Sequence, residues 1–162
     1  MSVLDDAILL EERAQKHYSE AQTRVGDPSA KKILELLADE EKKHAVTLAA
    51  MKSGEAGRLE ASPLLPKVRG LVEGAVNEGQ SSISTDASMR DVLQQAMEIE
   101  QTTERFYREH AGEKDDQKLR ELFDHLADQE AEHYLLVSSL VEYFDRPVEW
   151  VESAEFGLRP EY

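Results

Sequence analysis

An internal repeat constrains the fold of this chain more than any other feature. A shift of 89 positions, which takes Glu11 to Glu100, aligns the two halves of the sequence without a gap. Packing alone asks only for apolar side chains at core positions, so repeated polar residues indicate a chemical role shared by two copies of one unit. The polar identities that fall at core-phase positions under this shift are Glu11 with Glu100, Tyr18 with Tyr107, Glu41 with Glu130, and His44 with His133.

Each copy of the repeat is predicted to be a hairpin of two helices. The segments are rich in good helix formers, with apolar side chains every three or four positions. Gly26 can end the first helix, and Asp27 followed by Pro28 can begin the second. The repeated polar residues fall in phase with the inward-facing leucines. The four helices are predicted over residues 3–25, 28–53, from near Asp86 or Ser88 to about 111, and 116–144.

The region between the hairpins differs in composition. Residues 54–87 contain five of the eight glycines and two of the five prolines, which indicates a crossover connection, and a short helix is predicted within 64–78. Trp150 and Phe156 are expected to anchor a short C-terminal tail on the bundle. The predicted fold is therefore all-α, a four-helix bundle with one long crossover connection. As a single domain, residues 1–162 would comprise hairpins 3–53 and 88–144, crossover 54–87 and tail 145–162.

Charge and cysteine content exclude several functional classes. With 34 Asp and Glu against 19 Lys and Arg, the formal net charge is −15, which disfavours nucleic acids and anionic membranes as partners. The absence of cysteine excludes disulfides, thiolate-held metal centres and thiol catalysis. No apolar stretch approaches the ~20 residues that span a bilayer, and the N-terminus lacks a signal-peptide pattern, so we expect a cytoplasmic protein.

The Glu-x-x-His pairs of the repeat indicate a metal site. Glu41 and His44 lie one turn apart on one helix face, as do Glu130 and His133, and both pairs interrupt an apolar row. A buried ionised carboxylate is costly unless it is paired or bound to metal, and two divalent ions would balance four carboxylates. Oxygen and imidazole donors without thiolate favour iron or manganese over a structural zinc. The predicted ligands, Glu11, Glu41, His44, Glu100, Glu130 and His133, match the ligand set of dinuclear carboxylate bundles.

Other polar residues near the predicted ligands either have two possible roles or are expected not to bind metal. Tyr18 and Tyr107 each lie two turns after a predicted ligand, where the hydroxyl could donate to a site carboxylate or the ring could pack in the core. Whether Glu104 supplies an extra carboxylate is left open. The residues expected not to be ligands are Glu12, Glu40 and Glu98, predicted to point outward, and His17, His110 and His125, which have no repeat-related partner.

The motif Glu-x6-Tyr followed by Ala-Asp-x-Glu-x-x-His occurs twice and resembles the ferritin-like superfamily and, within it, the rubrerythrin family. The resemblance covers about residues 3–145. It implies a ferritin-like four-helix bundle whose di-iron centre, cycling between Fe²⁺ and Fe³⁺, reacts with peroxide or dioxygen. By resemblance, Glu11 and Glu100 are the single-helix carboxylates, Glu41 and Glu130 bridge the metals, and His44 and His133 are the imidazole ligands.

The chain departs from that family pattern at two points, and a comparison with bacterioferritin bears on haem. Full-length rubrerythrins carry a cysteine-ligated rubredoxin-like domain, whereas this sequence has no cysteine. Electrons would therefore have to come from a separate donor, either rubredoxin-like or a flavoprotein. Many rubrerythrins place another Glu one turn before the third-helix ligand, where this chain has Met97. Lys42 stands where the haem-ligating Met of bacterioferritin would fall, so no haem is expected.

Three functions are compatible with these residues. The first is an oxidoreductase that reduces hydrogen peroxide or dioxygen, with the four carboxylates holding the metals and taking up charge changes. The second is ferroxidase activity for iron storage or handling. The third is a non-redox bundle whose site is structural or is occupied by manganese or zinc. A homodimer is expected for the first function and a cage for the second.

Overall fold

The computed structural model describes residues 2–77, 87–113 and 115–144, and within these ranges the chain is helical without a β-strand. The all-α prediction is confirmed, including the short helix of the crossover. The predicted tail with Trp150 and Phe156 lies outside the described residues, and the assignment of the whole chain to one domain stays a prediction. The helices are α1 (Val3–Gln22), α2 (Pro28–Lys52), α3 (Leu64–Asn77), α4 (Ala87–Glu113) and α5 (Gln117–Phe144).

Local sequence sets where the helices of the first hairpin begin and end. Ser2 caps α1 in a reciprocal capping box with Asp5. The Asp27 carboxylate accepts from the backbone N–H groups at the start of α2, at 2.9 and 3.0 Å, and Pro28 occupies its first turn as predicted. Gly54, just after α2, has a φ of +83°, a left-handed conformation that favours glycine.

The first helix is shorter than predicted. The sequence pattern extends it to residue 25, but α1 ends at Gln22 and Thr23 forms its C-cap. Val25 is nevertheless buried, because the turn that leads into α2 folds it back against the core. The apolar periodicity of the sequence therefore continues to Val25 because that residue is buried, although the helix itself has already ended.

Two apolar clusters lie above and below a polar layer. Helix α1 packs along α2, α4 packs along α5, and the two hairpins meet through α1 and α4. In α2, Leu37 belongs to one cluster and Leu48 to the other, with the repeated polar pair between them. In α5, Leu126 and Val137 flank the second polar pair in the same way. The buried polar residues therefore lie between two apolar clusters of the core.

The crossover connection contributes to the core. Helix α3 packs against α2 through Leu64, Val68 and Val72, all of which are buried in the first apolar cluster. This contact holds the connection against the outer side of α2. In the part of the chain that the structure describes, no helix combines the length and apolar character required to cross a membrane.

Candidate metal centre

Six side chains from four helices meet in the polar layer. α1 and α4 each contribute one glutamate, and α2 and α5 each contribute a Glu-x-x-His pair, as the repeat predicts. All six are at most 1% exposed. They are Glu11, Glu41, His44, Glu100, Glu130 and His133.

His44 is the centre of one group of donors. Its Nδ1 atom lies 2.8 Å from Glu130 Oε1, 3.4 Å from Glu11 Oε2 and 3.7 Å from Glu41 Oε2. One donor atom from each of these four residues falls within 4.8 Å of the others. That spacing suits a single cation held by three carboxylates and one imidazole.

His133 is the centre of a second, related group. Its Nδ1 atom lies 2.9 Å from Glu41 Oε1 and 3.6 Å from both Glu100 Oε2 and Glu130 Oε2. Donor atoms of these four residues also fall within 4.8 Å of one another. Glu41 and Glu130 belong to both groups, so they stand where a carboxylate can bridge two ions.

The two tyrosines of the repeat reach across the interface between the hairpins. The Tyr18 hydroxyl of α1 donates to Glu100 Oε1 of α4, and the Tyr107 hydroxyl of α4 donates to Glu11 Oε1 of α1. Burial, followed by the charge of the accepting carboxylate, raises the pKa of both phenols well above the usual range. Each hydroxyl therefore keeps its proton and holds one oxygen of its partner carboxylate in place.

Unsatisfied polar atoms are concentrated in this layer. Among the described residues, nine buried side-chain nitrogen and oxygen atoms lack a hydrogen-bond partner, and all nine belong to the six residues of the two groups. Buried polar groups are normally paired, and one left unpaired costs about 1–3 kcal/mol. Two divalent cations would take up eight of these atoms, all but His133 Nε2, and would balance four carboxylates, so the residues fit a dinuclear metal site.

Without cations, the site retains protons. Burial raises the pKa of Glu11 to about 7, and burial with the surrounding carboxylates raises that of Glu130 well above its usual range. Burial would lower the pKa of His44, but the nearby Glu11 and Glu130 raise it well above the usual range. Protons thus occupy the places that the donor set offers to metal ions.

The remaining carboxylates stay ionised. Burial opposes ionisation of Glu41 and Glu100, but hydrogen bonds and the charge of His133 outweigh it and lower both pKa values. The site is therefore a mixture of anionic and proton-bearing groups.

One prediction near the site is wrong. Glu40 was expected to point outward, but it is only 4% exposed and its carboxylate lies 2.9 Å from Lys43 Nζ. The crossover connection covers this side of α2, which a single-helix pattern could not show. Glu12 and Glu98 are exposed, as predicted.

Gln129 is a residue that the sequence reasoning missed. Its Oε1 atom lies 2.8 Å from Nε2 of His44, and its amide nitrogen donates to the backbone oxygen of Glu60 in the crossover. The repeat could have pointed to Gln129, because Gln129 is equivalent to Glu40 under the shift of 89 positions and each of the two immediately precedes a predicted ligand.

The other candidate residues make different contacts. His17 contacts the backbone oxygen of Val92, and His110 contacts that of Phe106, at 3.2 and 2.8 Å. His125 is exposed. Glu104 faces Arg108 at 3.6 Å rather than the buried donors. Met97 is partly buried against the first apolar cluster.

The geometry defines a class of protein, a ferritin-like helical bundle with a buried carboxylate–histidine centre built from an internal repeat. The family model described as Rubrerythrin matches residues 2–141, so the chain belongs to the rubrerythrin family. This finding confirms the resemblance carried by the repeated motif. Searches of curated proteins and of solved structures gave no match.

Proposed function

We propose that the protein is a di-iron oxidoreductase that reduces hydrogen peroxide, or dioxygen, with electrons from a separate donor. The observation that carries the proposal is the pair of overlapping donor groups that share two carboxylates and contain every unpartnered buried polar atom among the described residues. Membership of the rubrerythrin family supports iron as the metal. Manganese and zinc remain compatible with oxygen and imidazole donors.

The donor groups suggest how the ligands divide. Glu11 and His44 would serve one ion, and Glu100 and His133 the other. Glu41 and Glu130, which belong to both groups, would bridge. This division keeps each ion with one imidazole and three carboxylates, so the two halves of the repeat contribute equally.

The chain supplies position, charge and water exclusion to the reaction. When bound, two ferrous ions would each supply one electron, so that one hydrogen peroxide and two protons become two water molecules. Tyr18 and Tyr107 hold Glu100 and Glu11 by donated hydrogen bonds, which leaves the second oxygen of each carboxylate free for a ligand role. The apolar clusters on both sides exclude bulk water from the layer.

The source of electrons is the next part of the proposal. The sequence has no cysteine with which to hold a thiolate-ligated electron-transfer centre. We propose that a separate donor, rubredoxin-like or a flavoprotein, supplies the electrons. We also propose that the protein acts as a homodimer in the cytoplasm.

Stopped-flow absorbance of anaerobically iron-loaded protein tests this function. We expect oxidation to be faster with hydrogen peroxide than with dioxygen, and the native mass to be that of a dimer. Faster oxidation by dioxygen together with a cage-sized particle would favour ferroxidase activity instead. Iron-loaded protein that stays colourless with both oxidants would indicate a non-redox bundle. Glu130→Ala, which removes a shared carboxylate, is the control expected to be inactive. Glu12→Ala, which changes an exposed glutamate, is the matched control expected to keep its activity.

A further inference from the structure

Glu40 and Gln129 occupy equivalent positions in the two halves of the repeat but differ in charge. Each immediately precedes a shared carboxylate, Glu41 or Glu130. Both are nearly buried, at 4% and 8% exposure, and both line a cleft of about 830 Å³ between α2 and the crossover. They therefore form the layer that separates the buried histidines from this cleft.

Gln129 fixes the orientation and tautomer of His44. Its amide nitrogen donates to the Glu60 backbone oxygen at 2.8 Å, so its amide oxygen is the atom that faces His44 Nε2 at 2.8 Å. An amide oxygen can only accept, so Nε2 carries the proton. When His44 loses its second proton to bind a cation, the lone pair is consequently on Nδ1, which faces the carboxylates.

Glu40 stands in the corresponding place behind His133. One of its carboxylate oxygens lies within 4.8 Å of a ring nitrogen of His133. The Nδ1 atom of His133 already faces the ligand carboxylates, and its Nε2 atom is buried without a hydrogen-bond partner. The repeat that places Gln129 at Nε2 of His44 thus places Glu40 on the Nε2 side of His133.

Glu40 suits the role of a hydrogen-bond acceptor better than that of a metal ligand. Its oxygen, His44 and His133 are close enough together to hold an ion. However, an imidazole that binds metal through Nδ1 carries its proton on Nε2, and that proton needs an acceptor. The Glu40 carboxylate accepts a hydrogen bond from Lys43 Nζ at 2.9 Å, so the acceptor is one partner of an ion pair.

We propose that Glu40 is a positioning residue that makes the two metal subsites unequal, an inference that rests on the dinuclear site proposed above. A carboxylate behind an imidazole ligand raises its basicity, whereas an amide orients the ring without adding charge. The subsite of His133 therefore binds a divalent ion more tightly and fills first. Such outer partners typically change metal affinity about 10–100-fold.

Titration of metal-free protein with Co²⁺, followed by calorimetry and visible absorbance, tests this inference. Wild-type protein should bind two ions in two resolved steps. Glu40→Gln, which makes the halves identical at this position, should weaken the tighter step about 10–100-fold so that the steps converge. Glu12→Gln, an exposed glutamate next to the ligand Glu11, should leave both steps unchanged.

Two more variants separate charge from structure. Glu40→Asp keeps the charge and should preserve the tight step. Gln129→Glu adds a charge behind His44 and should strengthen the weaker step, an effect opposite in sign to structural damage. If Glu40→Gln fails to fold by circular dichroism, Gln129→Glu still decides the question.

The outcomes also separate this inference from the proposed function. Two ions bound, with affinities that Glu40→Gln and Gln129→Glu both leave unchanged, would overturn the role of Glu40 alone. Fewer than two ions bound by wild-type protein would overturn the dinuclear site and this inference with it. Two bound ions without peroxide reduction would overturn the proposed activity while leaving the subsite difference testable.

Discussion

Metal-free protein should lose stability as the pH rises from 5 to 8. Burial raises the pKa of Glu11 from its usual 4.5 to about 7 in the folded chain. A raised folded pKa contributes stability that is complete below the unfolded pKa and is lost as the pH rises through the folded pKa. The raised pKa values of Glu130, His44 and His133 act in the same direction. The lowered pKa values of the other two carboxylates act below pH 4.5, outside this window.

The magnitude follows from the Glu11 shift. Each pKa unit corresponds to about 1.4 kcal/mol, so the shift of Glu11 alone is worth roughly 3 kcal/mol. For a chain of this size, 1 kcal/mol moves the melting temperature by about 2–4 °C, which gives a fall of roughly 6–12 °C. Differential scanning calorimetry of chelator-treated protein at pH 5, 6, 7 and 8 measures this fall in melting temperature directly.

Two controls tie the effect to the buried donors. Glu11→Gln removes one titrating group and should reduce the fall by about its share of roughly 3 kcal/mol, leaving the contributions of Glu130, His44 and His133. Metal-loaded protein should not show the fall, because its ligands are already deprotonated and metal affinity rises with pH. A melting temperature of metal-free wild-type protein that stays constant or rises from pH 5 to 8 would refute the reasoning.

Three further perturbations test individual contacts. Glu130→Ala removes a shared carboxylate and should abolish dinuclear binding in metal analysis, while Glu12→Ala should bind two ions; equal metal content in both variants would contradict the bridging role. Tyr18→Phe leaves an oxygen of Glu100 without its donor and should cost about 1–3 kcal/mol in urea unfolding of the metal-free protein, an effect whose absence would argue against the hydrogen bond. Leu126→Ala, next to the polar layer, should cost about 2–5 kcal/mol by the same assay, and a loss below 1 kcal/mol would indicate a looser core than the structure shows.

The position of the site was predictable because the repeat leaves little freedom. Two Glu-x-x-His pairs in phase with leucines must face the bundle centre, and the repeat-related Glu11 and Glu100 must face it as well. The structure brings all of these residues into one buried layer. Helical periodicity supplied that information without any knowledge of the connection.

Contacts across the hairpin interface were harder to predict. Tyr18 donates to Glu100 and Tyr107 to Glu11, which requires α1 and α4 to run antiparallel with matched heights. Spacing within one helix places each tyrosine on the right face but cannot select its partner. The partner depends on the relative placement of the two hairpins.

Glu40 and Gln129 show what periodicity leaves out. Glu40 lies next to the face of α2 that points to the bundle centre, and the pattern of a single helix predicts that this neighbouring face is exposed to solvent. It is buried because the crossover packs there, with Glu60 reaching Gln129 and α3 covering α2. An irregular connection has no periodicity from which such packing can be predicted.

The number of metal ions per chain tests the central claim most directly. Protein reconstituted anaerobically with Fe²⁺, freed of loosely bound ions and assayed by elemental analysis, should contain two iron ions per chain. One ion or none per chain, in protein that circular dichroism shows to be folded, would contradict a dinuclear centre built from the two halves of the repeat.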